Sequence, residues 1–213
     1  MKLIIFDVDG VLEKEELLLQ KRKEAQIKEI AKRHNVSIEE AREMIPKAKL
    51  RLPKEKSETS VYILQKLGFT RQEYFDIINS INPEGIIEPH DGIEILEELK
   101  GKFKLVAYSN TPLHALNRTL EIINVKDKFE KVYSVEYFNE SKPSPKILKQ
   151  IIKKEGFTPE NSYYIGNSVP KDMAPAKEVG CVAIFFNPDN KEVDKTLFDI
   201  EIHNLMELKE IIK

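Results

Sequence analysis

Short apolar runs recur along the chain at residues 3–6, 105–108, 132–135, 163–165 and 182–186. Their length and their β-branched and aromatic content predict five strands. Between the later runs the apolar positions fall into a helical rhythm near residues 92–99, 114–123, 145–154 and 172–179. Strand–helix alternation of this kind predicts a parallel sheet covered on both faces, an α/β fold. Ser144 followed by Pro145 reads as a helix cap with proline in the first turn. Gly101, Gly156 and Gly180 fall where helices should stop.

One stretch departs from this rhythm. From Leu12 to Glu88 no strand pattern is found, and residues 13–34 read as one long charged helix. Ser37 with Glu40, and Thr70 with Glu73, carry the signature of a capping box, a side chain and a backbone N–H exchanged between the first residues of a helix. Pro53 and Pro83 punctuate the region. The expectation is a helical insertion of three to five helices over residues 12–88, joined to a core made of residues 1–11 and 89–213. Some eighty residues are far more than a crossover of about a dozen requires, so the connection must fold on itself.

Composition narrows the function without naming it. The chain has 213 residues, 41% of them hydrophobic and 33% charged, with a net charge of −2. That balance gives no general attraction for nucleic acid or for a membrane surface, so neither is expected as a partner. No apolar run approaches the roughly 18 residues of a membrane span. Cys181 is the sole cysteine. It sits in an apolar run, so a buried structural thiol and a cytoplasmic protein are expected. The four histidines are scattered and suggest no histidine metal site.

In open α/β sheets, ligands bind beyond the carboxyl ends of the strands. Four polar clusters stand at such places: Asp7-Val8-Asp9-Gly10, Ser109-Asn110-Thr111, Lys142-Pro143, and Gly166-Asn167-Ser168 with Asp172. Each alone has an ordinary reading as a turn, a cap or a surface charge. Together they suit phosphoryl transfer, which needs an in-line nucleophile, neutralised phosphate oxygens and help for the leaving group. A carboxylate can be that nucleophile, and a second carboxyl can move the proton. A lysine and a hydroxyl can hold phosphate oxygens. Side-chain oxygens can hold Mg²⁺.

These motifs, in this order, resemble the haloacid dehalogenase-like hydrolase superfamily, over about two-thirds of the chain. The residues that carry the resemblance are Asp7-Val8-Asp9-Gly10-Val11-Leu12, Tyr108-Ser109-Asn110, Lys142-Pro143-Ser144-Pro145, and Gly166-Asn167-Ser168 ending in Asp172. Glu88-Pro89-His90-Asp91-Gly92 looks like the family's segment leading out of its cap. The resemblance implies a Rossmann-like three-layer core, a helical cap of the first type, and a Mg²⁺-dependent phosphatase acting on a small phosphorylated substrate. It implies Asp7 as nucleophile, Asp9 as general acid and base, and Ser109, Asn110 and Lys142 as binders of the phosphoryl group. The metal would be held by Asp7, the backbone carbonyl of Asp9, Asn167 and Asp172. Asn167 stands where the family commonly has an aspartate, which removes one negative charge. Asp9 disfavours carbon–halogen cleavage, because the dehalogenase branch lacks an aspartate there. Other chemistries of the scaffold remain alternatives: a phosphomutase, a phosphonatase using a lysine among Lys47, Lys49, Lys54 and Lys56, or a non-catalytic metal-binding protein.

Overall fold

The computed structural model describes residues 1–54, 56–138 and 140–212. The chain starts with β1 (Leu3–Phe6) and then runs through α1 (Glu16–His34), α2 (Ile38–Lys49), α3 (Ser60–Lys66) and α4 (Arg71–Asn79) before a short helix, α5 (Ile95–Leu99). From there strands and helices alternate: β2 (Lys104–Tyr108), α6 (Leu113–Ile122), β3 (Lys131–Tyr133), α7 (Pro145–Lys154), β4 (Ser162–Gly166), α8 (Ala174–Val179), β5 (Val182–Phe186), β6 (Ile200–Ile202) and α9 (Leu208–Ile211). The strands form one parallel sheet in the order β3-β2-β1-β4-β5-β6. This core is the parallel α/β sheet that the alternation predicts and the Rossmann-like fold that the resemblance implies.

Contacts divide the chain into two compact units, one of Met1–Glu15 with Ile87–Lys213 and one of Glu16–Ile86. In the first, Leu3, Ile5, Val106, Tyr108 and Tyr164 pack from the sheet against Ile147, Leu148, Ile151 and Ile152 of α7 and Ala176 and Val179 of α8. The register explains this shared face: Ile5 is opposite Val106 on one side and Tyr164 on the other. In the second unit α1 packs on α2 and α4, and α3 packs on α2 and α4. Both expected capping boxes are complete there, with Ser37 and Glu40 at α2 and Thr70 and Glu73 at α4. Among the described residues, no helix is long and apolar enough to cross a membrane.

The structure departs from the sequence pattern in four places. α1 begins at Glu16, not Glu13, because Glu13 is buried in bridges to Asp9 and Pro89 within the core unit. Lys14 N–H donates to Glu88 O, and His90 N–H to Leu12 O, so this segment is held extended. The third strand ends at Tyr133, since Ser134 caps a 3₁₀ turn with its side chain. A sixth strand, β6, joins the edge of the sheet through Ile184–Ile200 pairing. Its three residues are too short to carry a period of their own. Finally, the helix expected from Asp172 is preceded by a π-turn over Val169–Met173, in which Met173 N–H reaches back to Ser168 O at 3.2 Å.

Candidate active site

The strand order reverses direction at β1, with β2 on one side and β4 on the other. Such a switch point opens a crevice at the carboxyl ends of the strands. The loops after β1, β2 and β4 all leave from this edge. The backbone ladder continues one residue past β1, with Asp7 N–H donating to Ile165 O at 2.8 Å. The chain then curls at Gly10, whose φ of +74° a side chain would resist. A Cβ on Gly10 would also fall 2.1 Å from Asn167 Nδ2 and 3.0 Å from Glu15 Oε1. The glycine therefore lets the loops after β1 and β4 touch. Gly166 does the same for the π-turn, since a Cβ there would lie 2.5 Å from the Asp172 Cβ.

Lys142 is the hub of the site. Its Nζ lies 2.8 Å from Asp7 Oδ1 and 3.0 Å from Asp172 Oδ1, with the three side chains only 4%, 11% and 0% exposed. The rings of Tyr108 and Tyr164 flank the ammonium at 4.7 and 5.4 Å from their centroids. The Tyr164 hydroxyl donates to Asp172 Oδ1 at 3.0 Å, and Ser168 N–H donates to Asp172 Oδ2 at 3.1 Å. Both oxygens of Asp172 thus have protein partners. Val8 N–H joins Lys142 on Asp7 Oδ1 at 2.7 Å, which leaves Asp7 Oδ2 as the oxygen available for other chemistry.

A second cluster adjoins the first. Ser109 Oγ donates to Asp9 Oδ2 at 2.5 Å, and Thr111 Oγ1 lies 2.9 Å from the same oxygen. Asn110 serves a different end. Its amide spans the backbone of Lys142, accepting from Lys142 N–H at 2.7 Å and donating to Lys142 O at 3.2 Å. Ser109, Asn110 and Lys142 were all expected on the phosphoryl group. In the structure the Asn110 side chain holds the lysine loop in place.

The electrostatics follow from burial. Desolvation pushes the Asp7 carboxyl well above the usual carboxylate range; Lys142 pulls against this, while Asp172 and Asp9 add to it. Burial also works against the Lys142 ammonium, but Asp172 and Asp7 outweigh it and hold the lysine above its ordinary value. Two buried carboxylates, Asp7 and Asp172, face one ammonium, and the half-buried Asp9 adds negative charge beside them.

An oxygen-only donor set suits a hard cation such as Mg²⁺. Among the described residues no three His, Cys, Asp or Glu side chains form a metal cluster by themselves. The donor types that fit are the Asp7 carboxylate, the Asp9 carbonyl and the Asn167 amide oxygen; Asn167 Nδ2 lies against the Gly10 turn. The excess negative charge fits a cation as well. Asp172, also expected among the metal ligands, is bonded to Lys142, Tyr164 and Ser168, which suits it to orient its neighbours, and its Oδ2 keeps an acceptor site beside the single bond from Ser168 N–H.

Tyr164 is a contributor that the sequence pattern does not single out, while Tyr108 and Thr111 stand in the motifs read above without a role assigned to them. The two tyrosines read as ordinary strand residues. Their one signal is a hydroxyl in a run that is otherwise buried and apolar, at a strand end leading into a polar cluster.

The fold and this edge define an α/β protein with a paired-carboxylate and lysine centre at the switch point of a parallel sheet. Residues 4–186 match the model of the haloacid dehalogenase-like hydrolases. The chain belongs to that family. A segment of 87 residues is 33% identical to the glyceraldehyde 3-phosphate phosphatase of Methanocaldococcus jannaschii, covering 40% of this chain and 38% of that protein. A segment of 115 residues is 30% identical to the phosphoglycolate phosphatase of Aquifex aeolicus, covering 52% of this chain and 54% of that protein. The chain thus spans about half or less of the length of these curated relatives. The crystal structure of a HAD phosphatase from Thermococcus onnurineus superposes with a TM-score of 0.73 at 25% identity, covering 100% of this chain and 98% of that one.

Proposed function

We propose that this protein is a Mg²⁺-dependent phosphatase that hydrolyses a small phosphorylated metabolite through an aspartyl-phosphate on Asp7. The observation that carries the reading is the Asp7–Lys142–Asp172 arrangement, which holds one oxygen of Asp7 and presents the other, with Asp9 two residues along. Asp7 Oδ2 attacks phosphorus in line with the leaving oxygen. Lys142 and the Ser109 hydroxyl stabilise charge on the equatorial phosphoryl oxygens. Asp9 gives its proton to the leaving alkoxide and then takes one from the water that hydrolyses the acyl phosphate. Asp172 and Tyr164 keep Lys142 charged and in place. Mg²⁺, when bound by Asp7, the Asp9 carbonyl and Asn167, would supply further neutralisation of phosphate charge.

The names of the relatives support the substrate class, since both act on small phosphorylated carbon compounds. The helical unit, expected from the sequence as residues 12–88, would act as the cap that selects among substrates and excludes water. Its two connections leave the core side by side at the Glu13–Pro89 bridge, next to Asp9. The test is phosphate release by the full chain from p-nitrophenyl phosphate and a panel of phosphorylated metabolites, with Mg²⁺ and after metal stripping. Release that needs Mg²⁺ is expected. No release from any ester would overturn the reading, and full activity without metal would overturn the metal's part in it.

A further inference from the structure

Thr111 stands two residues beyond Ser109 and is 4% exposed. A threonine at this place, just before a helix, would ordinarily be a cap. Here the cap position of α6 is Pro112, and no side chain caps the helix. The Thr111 hydroxyl goes to Asp9 instead, 2.9 Å from Oδ2 and 3.1 Å from Oδ1. Its backbone N–H donates to Ser109 Oγ at 2.9 Å. That bond occupies an acceptor site on Ser109 and turns the serine hydrogen toward Asp9. An ionised carboxylate only accepts, so both hydroxyls donate to it.

We infer that Thr111 is a positioning residue that keeps the Asp9 carboxyl aimed at the leaving group during phosphoryl transfer. The inference rests on the phosphatase reading above. Ser109 has one hydroxyl hydrogen, and it cannot serve Asp9 and a phosphoryl oxygen at once. When substrate takes that hydrogen, Thr111 keeps its hold on Asp9. As the Asp7–phosphorus bond forms, the bond from phosphorus to the leaving oxygen breaks. Its electron pair goes to that oxygen, which takes the proton from Asp9. Thr111 lies within reach of both Asp9 oxygens, so it can hold the carboxyl whichever of them carries the proton to the leaving oxygen. A misplaced carboxyl loses much of its value, because proton transfer requires hydrogen-bond reach.

The test compares kcat/KM of full-length wild type, Thr111→Val and Thr111→Ser in Mg²⁺, on an alkyl phosphate and on p-nitrophenyl phosphate. The alkoxide needs a proton to leave and nitrophenolate does not, so this ratio reads Asp9's work as an acid. Thr111→Val is expected to lose about tenfold more on the alkyl ester than on the aryl ester, and Thr111→Ser to restore the wild-type ratio. In an Asp9→Asn background the valine change should cost nothing further on the alkyl ester. An equal loss on both esters, the same loss with and without Asp9, or a serine variant as impaired as the valine one would overturn the inference. A wild type that hydrolyses neither ester would overturn the phosphatase reading, and this inference with it.

Discussion

The core edge and the helical unit use the same residue types under opposite physical conditions. In the core, Asp7, Lys142 and Asp172 are buried together, with every charged group on a defined partner. Taking such groups out of water costs several kcal/mol per ion, roughly, and is tolerated only where partners are well placed. In the helical unit, pairs such as Lys47–Glu43 and Lys49–Glu58 lie at 3.7 and 3.0 Å with side chains from 36% to 72% exposed. Water solvates those charges whether or not they meet, so their pairing matters little. A cluster that is costly to bury and carries excess negative charge is poor as a structural device. Under the proposed function, a cation and a phosphate would complete the balance.

Four variants test this contrast. Asp7→Asn should abolish turnover, a loss of about a thousandfold or more. It also removes one of the carboxylates competing for Lys142. Because the folded environment raises the Asp7 pKa, its ionised form destabilises the fold, and this penalty grows as pH rises through the ordinary carboxylate range. The variant should therefore melt at or above the wild-type midpoint at neutral pH; a clearly lower midpoint in calorimetry would show that the cluster is a net stabiliser. Lys142→Met leaves Asp7 and Asp172 buried without their cation and should cost about 3–5 kcal/mol in urea unfolding. A cost under about 1 kcal/mol would place Lys142 among the surface pairs.

On the helical side, Glu58→Gln removes the partner of Lys49 and should change unfolding free energy by less than about 1 kcal/mol. The smallest effect is one of pH. The Ser37 backbone N–H holds Glu40 below its ordinary pKa, and the Thr70 N–H does the same for Glu73. A carboxylate with a lowered folded pKa stabilises the fold above its unfolded pKa and loses that contribution as pH falls through the folded value. Glutamine can still cap the helix but does not titrate. The Glu40→Gln, Glu73→Gln double variant should therefore lose less of its melting midpoint than wild type between about pH 6 and pH 3. Parallel curves would show that the two boxes do not contribute to acid unfolding.

Local signals along the chain carry the elements and the order of the candidate chemistry. Alternating apolar runs and helical periods announce a parallel sheet, and the position of Asp7, Ser109, Lys142 and Asn167 after successive apolar runs announces one edge. The capping boxes at Ser37 and Thr70 were legible because each is closed within three residues. How the polar groups share their hydrogens emerges only from the folded arrangement. Thr111 meets Asp9 across 102 positions of sequence, Asn110 grips Lys142 across 32, and the Tyr164 hydroxyl finds Asp172 around a π-turn. The folded arrangement also buries Glu13 in the core unit, so that it does not open α1. The reason is one of range. Caps, turns and periodicity act over a few bonds and leave a local signal. Partner choice in a buried cluster depends on strand register and on loops brought together by the whole sheet, where a shift of one residue reverses which face a side chain takes.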